Sequence, residues 1–366
     1  MKKALKIGAI ILASLLGLVL VLLFVALMFI EFYPGIGKTP DKAMRKSFEQ
    51  KTELFYNKQF HNENTVDILT GNRNETSEMV YPTNKIPVVE NVNIQSGVVG
   101  GLTVTWYGHS SSLVQLGDKN ILIDPVFSER SSPVSFAGPK RFSDLAIKYE
   151  NIPPIDVLFI SHDHYDHLDY PTIKAIDSRV ASYVVPLGID SYLKGWGIAE
   201  EKIYSLYWWE SVEIKGITYT LIPAQHYTGR NPLKSNITLW GGLHFKDDSH
   251  SVYYTGDSGY YDVFKRVYDE FGEIDLMMAD SGQYDNGWAS IHMTPEQSVQ
   301  AAKDAHAKWF IPVHWGAFSL ANHAWNDPPI RAVEEAKRQG VNIATPKIGE
   351  RVDYGKIVQF QERWWD

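Results

Sequence analysis

Residues 157–168 read Val-Leu-Phe-Ile-Ser-His-Asp-His-Tyr-Asp-His-Leu. An apolar run with the composition of a buried strand, 157–160, empties into three imidazoles and two carboxylates at His162, Asp163, His164, Asp166 and His167. Crowding ionisable groups at the end of a buried strand carries a desolvation cost for each of them unless an oppositely charged partner is supplied. A divalent cation is such a partner. Alternate positions His162 and His164 project to one side of an extended turn, while the adjacent Asp166 and His167 can face a second ion as a helix begins. Imidazole and carboxylate together suit zinc, with iron or manganese as competitors. The chain has no cysteine. Thiolate metal sites, disulfides and cysteine nucleophiles are therefore excluded, and any metal must be held by His, Asp or Glu.

Three further strand ends repeat the pattern. His226 follows the run 219–223, Asp257 follows 252–255 and His314 follows 309–313. Sheets of the α/β class collect their ligands past the carboxyl ends of strands, so four strand ends are expected to converge on one site. Five histidines and two aspartates suffice for two metals when one carboxylate bridges. Around them, short apolar runs rich in β-branched residues recur at 102–106, 112–116, 120–123, 182–185, 218–222, 252–254, 276–279 and 308–312. Helical periodicity appears at 294–307, which opens on the capping box Thr294-Pro295-Glu296-Gln297, and at 329–339. Residues 101–366 thus read as one layered α/β domain.

The amino-terminal end has a different texture. Lys2, Lys3 and Lys6 precede an uncharged run of 24 residues, 7–30, closed by Glu31 and Pro34-Gly35. As a helix it would be about 36 Å long, enough to cross a hydrocarbon core of about 30 Å. A cleavable signal peptide has an apolar stretch of only about 7–15 residues and a small-x-small cleavage site. The expectation is an uncleaved single-pass anchor over 1–36, in the cell membrane. The lysines before the span lie closer to it than Lys38, Lys42, Arg45 and Lys46 after it, which favours a cytoplasmic amino terminus and a catalytic domain on the other side. Residues 37–100 are polar and broken by Pro82 and Pro87, and read as a tether and entry segment. A net charge of −8 without a Lys/Arg block argues against nucleic acid as the main partner. A homodimer is compatible with the sequence.

Several of these segments resemble a known family. His162-Asp163-His164-Tyr165-Asp166-His167 fits the His-x-His-x-Asp-His signature of the metallo-β-lactamase fold, with His226, Asp257 and His314 in the order that fold requires. Thr105-Trp106-Tyr107-Gly108-His109, Asp124-Pro125-Val126-Phe127-Ser128, Gly138-Pro139-Lys140-Arg141-Phe142, Pro186-Leu187-Gly188, Trp208-Trp209-Glu210, His314-Trp315-Gly316-Ala317-Phe318 and Leu320-Ala321-Asn322 resemble the N-acyl-phosphatidylethanolamine-hydrolysing phospholipase D family over about 101–350. The resemblance implies an αββα sandwich, two mixed sheets face to face with helices outside, preceded by one transmembrane helix. It implies one zinc on His162, His164 and His226, a second on Asp166, His167 and His314, and Asp257 bridging as a catalytic residue with Asp166. It also places His292 beside the metals as an acid or phosphoryl-oxygen donor; Ile291 stands where the animal enzyme has a Gln.

The activity so implied is hydrolysis of the phosphodiester of a membrane phospholipid, N-acyl-phosphatidylethanolamine, to N-acylethanolamine and phosphatidic acid by a metal-bridging hydroxide. Two Zn²⁺, two carboxylates and one hydroxide leave about +1, which favours an anionic diester. The alternative is a metal-dependent hydrolase of a soluble phosphorylated ester or lactone, resembling ascorbate-6-phosphate lactonase. Asp124, His109, Tyr165 and His323 are expected to brace the site or touch substrate. His61, His244, His250 and His306 have no partner pattern and are expected in solvent.

Overall fold

Strand after strand in this chain is buried on both faces, and the alternation of side chains shows why. In β12 (Ser251–Tyr254), Val252 and Tyr254 enter one core while Tyr253 enters another, and in β13 (Ile274–Asp280), Leu276 and Met278 part from Met277 and Ala279 in the same way. Side chains on a strand point alternately to opposite faces. Each sheet therefore has one face against the other sheet and one against helices, and its strands read as continuous apolar runs.

The computed structural model describes residues 2–98 and 100–366. A helix α1 (Lys2–Phe32) is followed by α2 (Lys42–Lys51) and a small hairpin of β1 (Phe55–Tyr56) and β2 (Gln59–Phe60). The first half of the domain holds β3 (Leu102–Trp106), β4 (Ser112–Leu116), β5 (Lys119–Ile123), β6 (Ile155–Phe159), α3 (Tyr170–Ile176), β7 (Val180–Pro186), α4 (Ile189–Gly195) and β8 (Ile203–Leu206). The second half holds β9 (Ser211–Ile214), β10 (Ile217–Ile222), β11 (Gly242–Lys246), β12, α5 (Val263–Phe271), β13, α6 (Pro295–Asp304), β14 (Ala307–Val313) and α7 (Asp327–Gln339). A last strand, β15 (Arg351–Asp353), returns to the first half.

The seven-stranded sheet runs β15-β3-β4-β5-β6-β7-β8 and the six-stranded one β14-β13-β12-β11-β10-β9. Both are mixed: β5 to β8 pair in parallel, as do β12 to β14, and the remaining pairs are antiparallel. This is the expected metallo-β-lactamase-type sandwich. Apolar side chains of both sheets share one core, where Phe159 of β6 meets Tyr254 of β12 edge to face at 6.3 Å. Helices α5, α6 and α7 cover the outer face of the second sheet through Val263, Phe264, Val299, Ala302 and Ala332. The capping box closes at α6: the Thr294 hydroxyl accepts from Gln297 N, and the Gln297 side chain accepts from Thr294 N.

Helix α1 is apolar over 7–30, between Lys6 and Glu31, with nothing of the domain covering that stretch, so by length and composition it is able to cross a membrane. The segment expected as a tether lies against the domain. Phe48, Phe55, Phe60 and Ile86 are buried in the main core, and Val89 N and Asn91 N donate to the Ile348 and Ala146 carbonyls. These side chains stand far apart among polar neighbours, which hides their periodicity in the sequence. His244, expected in solvent, is instead buried on β11, hydrogen-bonded to Ser251 at 2.8 Å and stacked on Phe271 at 3.8 Å.

Candidate metal centre

Parallel strands place their carboxyl ends side by side, and that edge of the sandwich gathers the chemistry. Asp124 follows β5, His162 to His167 follow β6, His226 follows β10, Asp257 follows β12, Asp280 ends β13 and His314 follows β14. His109, Asp124 and His314 all take left-handed backbone conformations, with φ of 52°, 39° and 71°, a concentration of strain typical of functional sites. His109 and His314 hold each other across the two sheets: His109 N donates to Trp315 O at 2.6 Å and His314 N to His109 O at 2.8 Å.

Two donor sets result. In the first, His162 Nε2 lies 2.9 Å from His164 Nδ1, and His226 Nε2 lies 3.3 Å from the same atom. Four ligands at about 2.1 Å around a tetrahedral zinc stand about 3.4 Å apart, so these spacings fit a metal. In the second, the Nε2 atoms of His167 and His314 lie 3.5 and 3.4 Å from Asp166 Oδ2. Asp257 Oδ2 lies between the sets, 3.1 Å from His167, 3.4 Å from His314, 3.7 Å from His162 and 3.8 Å from His226.

The ring nitrogens of His162, His226, His167 and His314 that face away from the centre have partners. His162 Nδ1 meets Ser161 Oγ at 2.9 Å, His226 Nδ1–H donates to the Ile291 carbonyl at 3.2 Å, His167 Nδ1–H to Asp124 at 2.8 Å and His314 Nδ1–H to Asp280 at 2.9 Å. Such contacts fix each ring's tautomer and aim its lone pair inward. Asp124 also accepts from Ser161 N at 2.7 Å and from Tyr254 Oη at 2.7 Å. His109 Nε2 lies 2.8 Å from Asp166 Oδ2. Tyr165 Oη donates to the Arg230 carbonyl at 2.8 Å, and its ring lines the cleft above the donors.

His292 is on the cleft wall, its Nδ1–H donating to Asp280 Oδ2 at 2.8 Å. His323 does not join the site: its ring stacks on Tyr284 and both nitrogens meet backbone carbonyls, of Gly282 at 2.7 Å and Ala324 at 2.8 Å. Asp280 is the buried residue that sequence reasoning passed over. It holds His292 with one oxygen and His314 with the other. The strand-end argument that selected Asp257 applies equally to Asp280, the residue that follows the run 276–279 read as a strand.

The donor set passes a physical test for metal. Asp124, Asp166, Asp257 and Asp280 are buried, yet among the described residues no Lys or Arg pairs with them. His167 Nε2 and Asp257 Oδ1 are buried without a hydrogen-bond partner. Buried polar atoms are rarely left so; here both belong to the centre. Burial and neighbouring imidazoles hold His162 well below its usual range, as burial and His292 do His226. Burial, with His314, drops His109 to about 4. Burial also opposes charge on His314, but Asp257 and Asp280 outweigh it and push that ring up to about 10; His167 is raised by Asp257 and Asp166 in the same way.

The first donor set is thus held toward its neutral form, and the second toward its protonated form. That charge stabilises the metal-free fold fully below the unfolded value of about 6.5, and the contribution is lost as pH rises through about 10. Loading both sets is expected to release about two protons per chain, from His167 and His314, with affinity rising with pH. Calorimetry in buffers of different ionisation heat measures this; release of none would contradict it.

Above the donors is a cleft of about 290 Å³, floored by His164, Asp166, Asp257 and His314 and walled by Ile68, Leu69, Trp288, Ile291 and Leu320. The β-lactamase superfamily domain matches residues 119–315. The chain is 36% identical over 288 residues to an uncharacterized protein of Mycobacterium tuberculosis, across 78% of this chain and 77% of that one. It is also 36% identical over 275 residues to N-acyl-phosphatidylethanolamine-hydrolyzing phospholipase D 1 of Caenorhabditis elegans, across 72% of this chain and 77% of the nematode protein. Igni18, a metallo hydrolase of Ignicoccus hospitalis, shares the fold, with a TM-score of 0.52 over 69% of this chain and 98% of its own at 18% identity. The strand-end histidines and aspartates therefore sit in a metal-dependent hydrolase of the metallo-β-lactamase fold, and the chain belongs to the family of N-acyl-phosphatidylethanolamine-hydrolysing phospholipases D.

Proposed function

We propose that this protein is a dinuclear zinc phosphodiesterase of phospholipase D type, cleaving N-acyl-phosphatidylethanolamine to N-acylethanolamine and phosphatidic acid. The observation that carries this reading is the position of Asp257 Oδ2, within 3.1–3.8 Å of imidazole nitrogens from both donor sets. His162, His164 and His226 would hold one ion, Asp166, His167 and His314 the other, and Asp257 both. Bound there, two divalent ions supply Lewis acidity and lower the pKa of water toward about 7.

The chain's own residues do the rest. Water oxygen adds to phosphorus, the bond from phosphorus to the ethanolamide oxygen breaks, and a proton reaches that oxygen. His292, fixed by Asp280, is placed on the cleft wall to deliver it. Ile68, Leu69, Trp288 and Leu320 exclude water and accept acyl chains. Helix α1 keeps the enzyme in the membrane that holds its substrate, single-pass, with the catalytic domain on the non-cytoplasmic side.

The test is turnover of vesicle-embedded N-acyl-phosphatidylethanolamine by the full chain loaded with zinc, followed by mass spectrometry beside a metal-stripped control. Metal-dependent release of N-acylethanolamine is expected. Turnover of a soluble phosphorylated lactone instead, with none of the lipid, would overturn the reading.

A further inference from the structure

Two loops descend from the rim of the metal cleft and grip the chain where it leaves α1. The first spans 130–140, closed by pairing of Arg130 with Lys140 and by Ser131 N donating to Pro139 O at 3.1 Å. Its base, Ser131, lines the cleft. Its middle packs on Gly35 so closely that a Cβ there would lie 2.5 Å from the Pro133 carbonyl oxygen. The second loop, 227–234, starts at the cleft-lining Tyr227. Its Arg230 donates to the carbonyls of Gly35 at 2.6 Å and Ile36 at 3.1 Å, and Lys234 Nζ donates to Thr39 Oγ1 at 3.1 Å.

Each loop carries a large apolar side chain in solvent, Phe136 at 80% exposure and Leu233 at 62%. Neither is on a floppy tip. Arg130 braces the first loop, donating to the carbonyls of Ser135 at 3.1 Å and Gly138 at 2.6 Å. Asn231 Oδ1 accepts from Leu233 N at 2.9 Å in the second. Single exposed apolar residues on a surface are ordinary. Two of them, on loops clamped to the foot of a helix long and apolar enough to cross a bilayer, lie where the lipid interface would begin.

We propose that Phe136 and Leu233 insert into the leaflet that α1 enters, so that the cleft opens at the bilayer surface and receives a lipid directly from it. This deepens the phospholipase reading and rests on it for the substrate, while the membrane contact stands on the geometry of the two loops.

The absence of cysteine from the chain allows a direct test. Phe136→Cys, Leu233→Cys and, at the β15 edge of the first sheet, Val358→Cys are each labelled with a polarity-sensitive fluorophore in full-length protein. The protein is reconstituted into phosphatidylcholine vesicles containing spin-labelled lipid. Blue-shifted emission, quenched by at least about half, is expected at 136 and 233 but not at 358, since apolar side chains of interfacial elements sit about 5–10 Å below the headgroups. Equal, unquenched emission at all three would overturn the proposal.

In parallel, Phe136→Asp with Leu233→Asp is expected to lower turnover of the vesicle-embedded lipid about tenfold and to leave turnover of soluble bis-p-nitrophenyl phosphate unchanged. An equal loss on both substrates would make the loops merely structural and overturn the proposal. Quenching at 136 and 233 without lipid turnover would overturn the phospholipase reading while supporting the membrane contact.

Discussion

Asp257→Asn is expected to lower turnover by about 10³-fold or more while leaving the fold intact. The side chain keeps its shape, so the change is one of charge and of donor capacity. Asp257 Oδ2 faces four imidazole nitrogens within 3.8 Å, and Oδ1 is buried without a protein partner. An amide places two N–H donors where lone pairs are needed and cannot balance cations on both sides. It also removes the main attraction that raises His167 and His314 in the metal-free protein, so both rings are expected to titrate closer to the ordinary histidine range. Bound metal by native mass spectrometry should fall from two per chain, and the steady-state rate should fall with it. A variant with full metal content and full rate would remove Asp257 from the centre.

The second large effect concerns an arginine that no motif singles out. Arg230→Met is expected to destabilise the protein by about 3–5 kcal/mol and to weaken metal retention. Arg230 is 2% exposed. Its guanidinium donates to the carbonyls of Gly35, Ile36, Asp163 and Leu168 and lies over the Tyr165 ring at 4.4 Å. Asp163 and Leu168 bracket the ligand loop, so one planar group ties that loop to the foot of α1. A methionine fills the volume but leaves these carbonyls without their donor, at about 1–3 kcal/mol for each that water does not reach. Lysine is expected to rescue only part of the loss, because it has no planar fork. Chemical denaturation measures the effect, and a loss below about 1 kcal/mol would refute it. For the same reason a chain beginning at Tyr33, which keeps the Gly35 and Ile36 carbonyls, is expected to melt higher than one beginning at residue 37.

Strands buried on both faces were the legible part of the fold. The apolar runs that become β3, β4, β5, β6, β7, β10, β12, β13 and β14 are continuous, as double burial demands. Strands β8, β9 and β11 were not legible, for identifiable reasons. The first two are sheet edges, with partly exposed residues such as Tyr204 and Val212, and β11 opens on glycine and carries His244. Short helices α3 and α4, of 7 residues each, have too few turns to show a period. Within the centre, ligands crowded at one strand end announced themselves, because a cluster of imidazoles has few explanations other than metal. Asp280 and Arg230 did not, since their roles depend on what folding brings beside them: two imidazoles from other elements for Asp280, and the foot of α1 for Arg230.

The central claim is that this chain activates water against phosphorus in a membrane lipid. Its most direct test is hydrolysis of vesicle-embedded N-acyl-phosphatidylethanolamine by the full-length, zinc-loaded protein in ¹⁸O-water. Phosphatidic acid carrying one ¹⁸O, beside unlabelled N-acylethanolamine, is the expected result. Label appearing in a released fatty acid, or no turnover by a protein that holds two metals, would contradict the account.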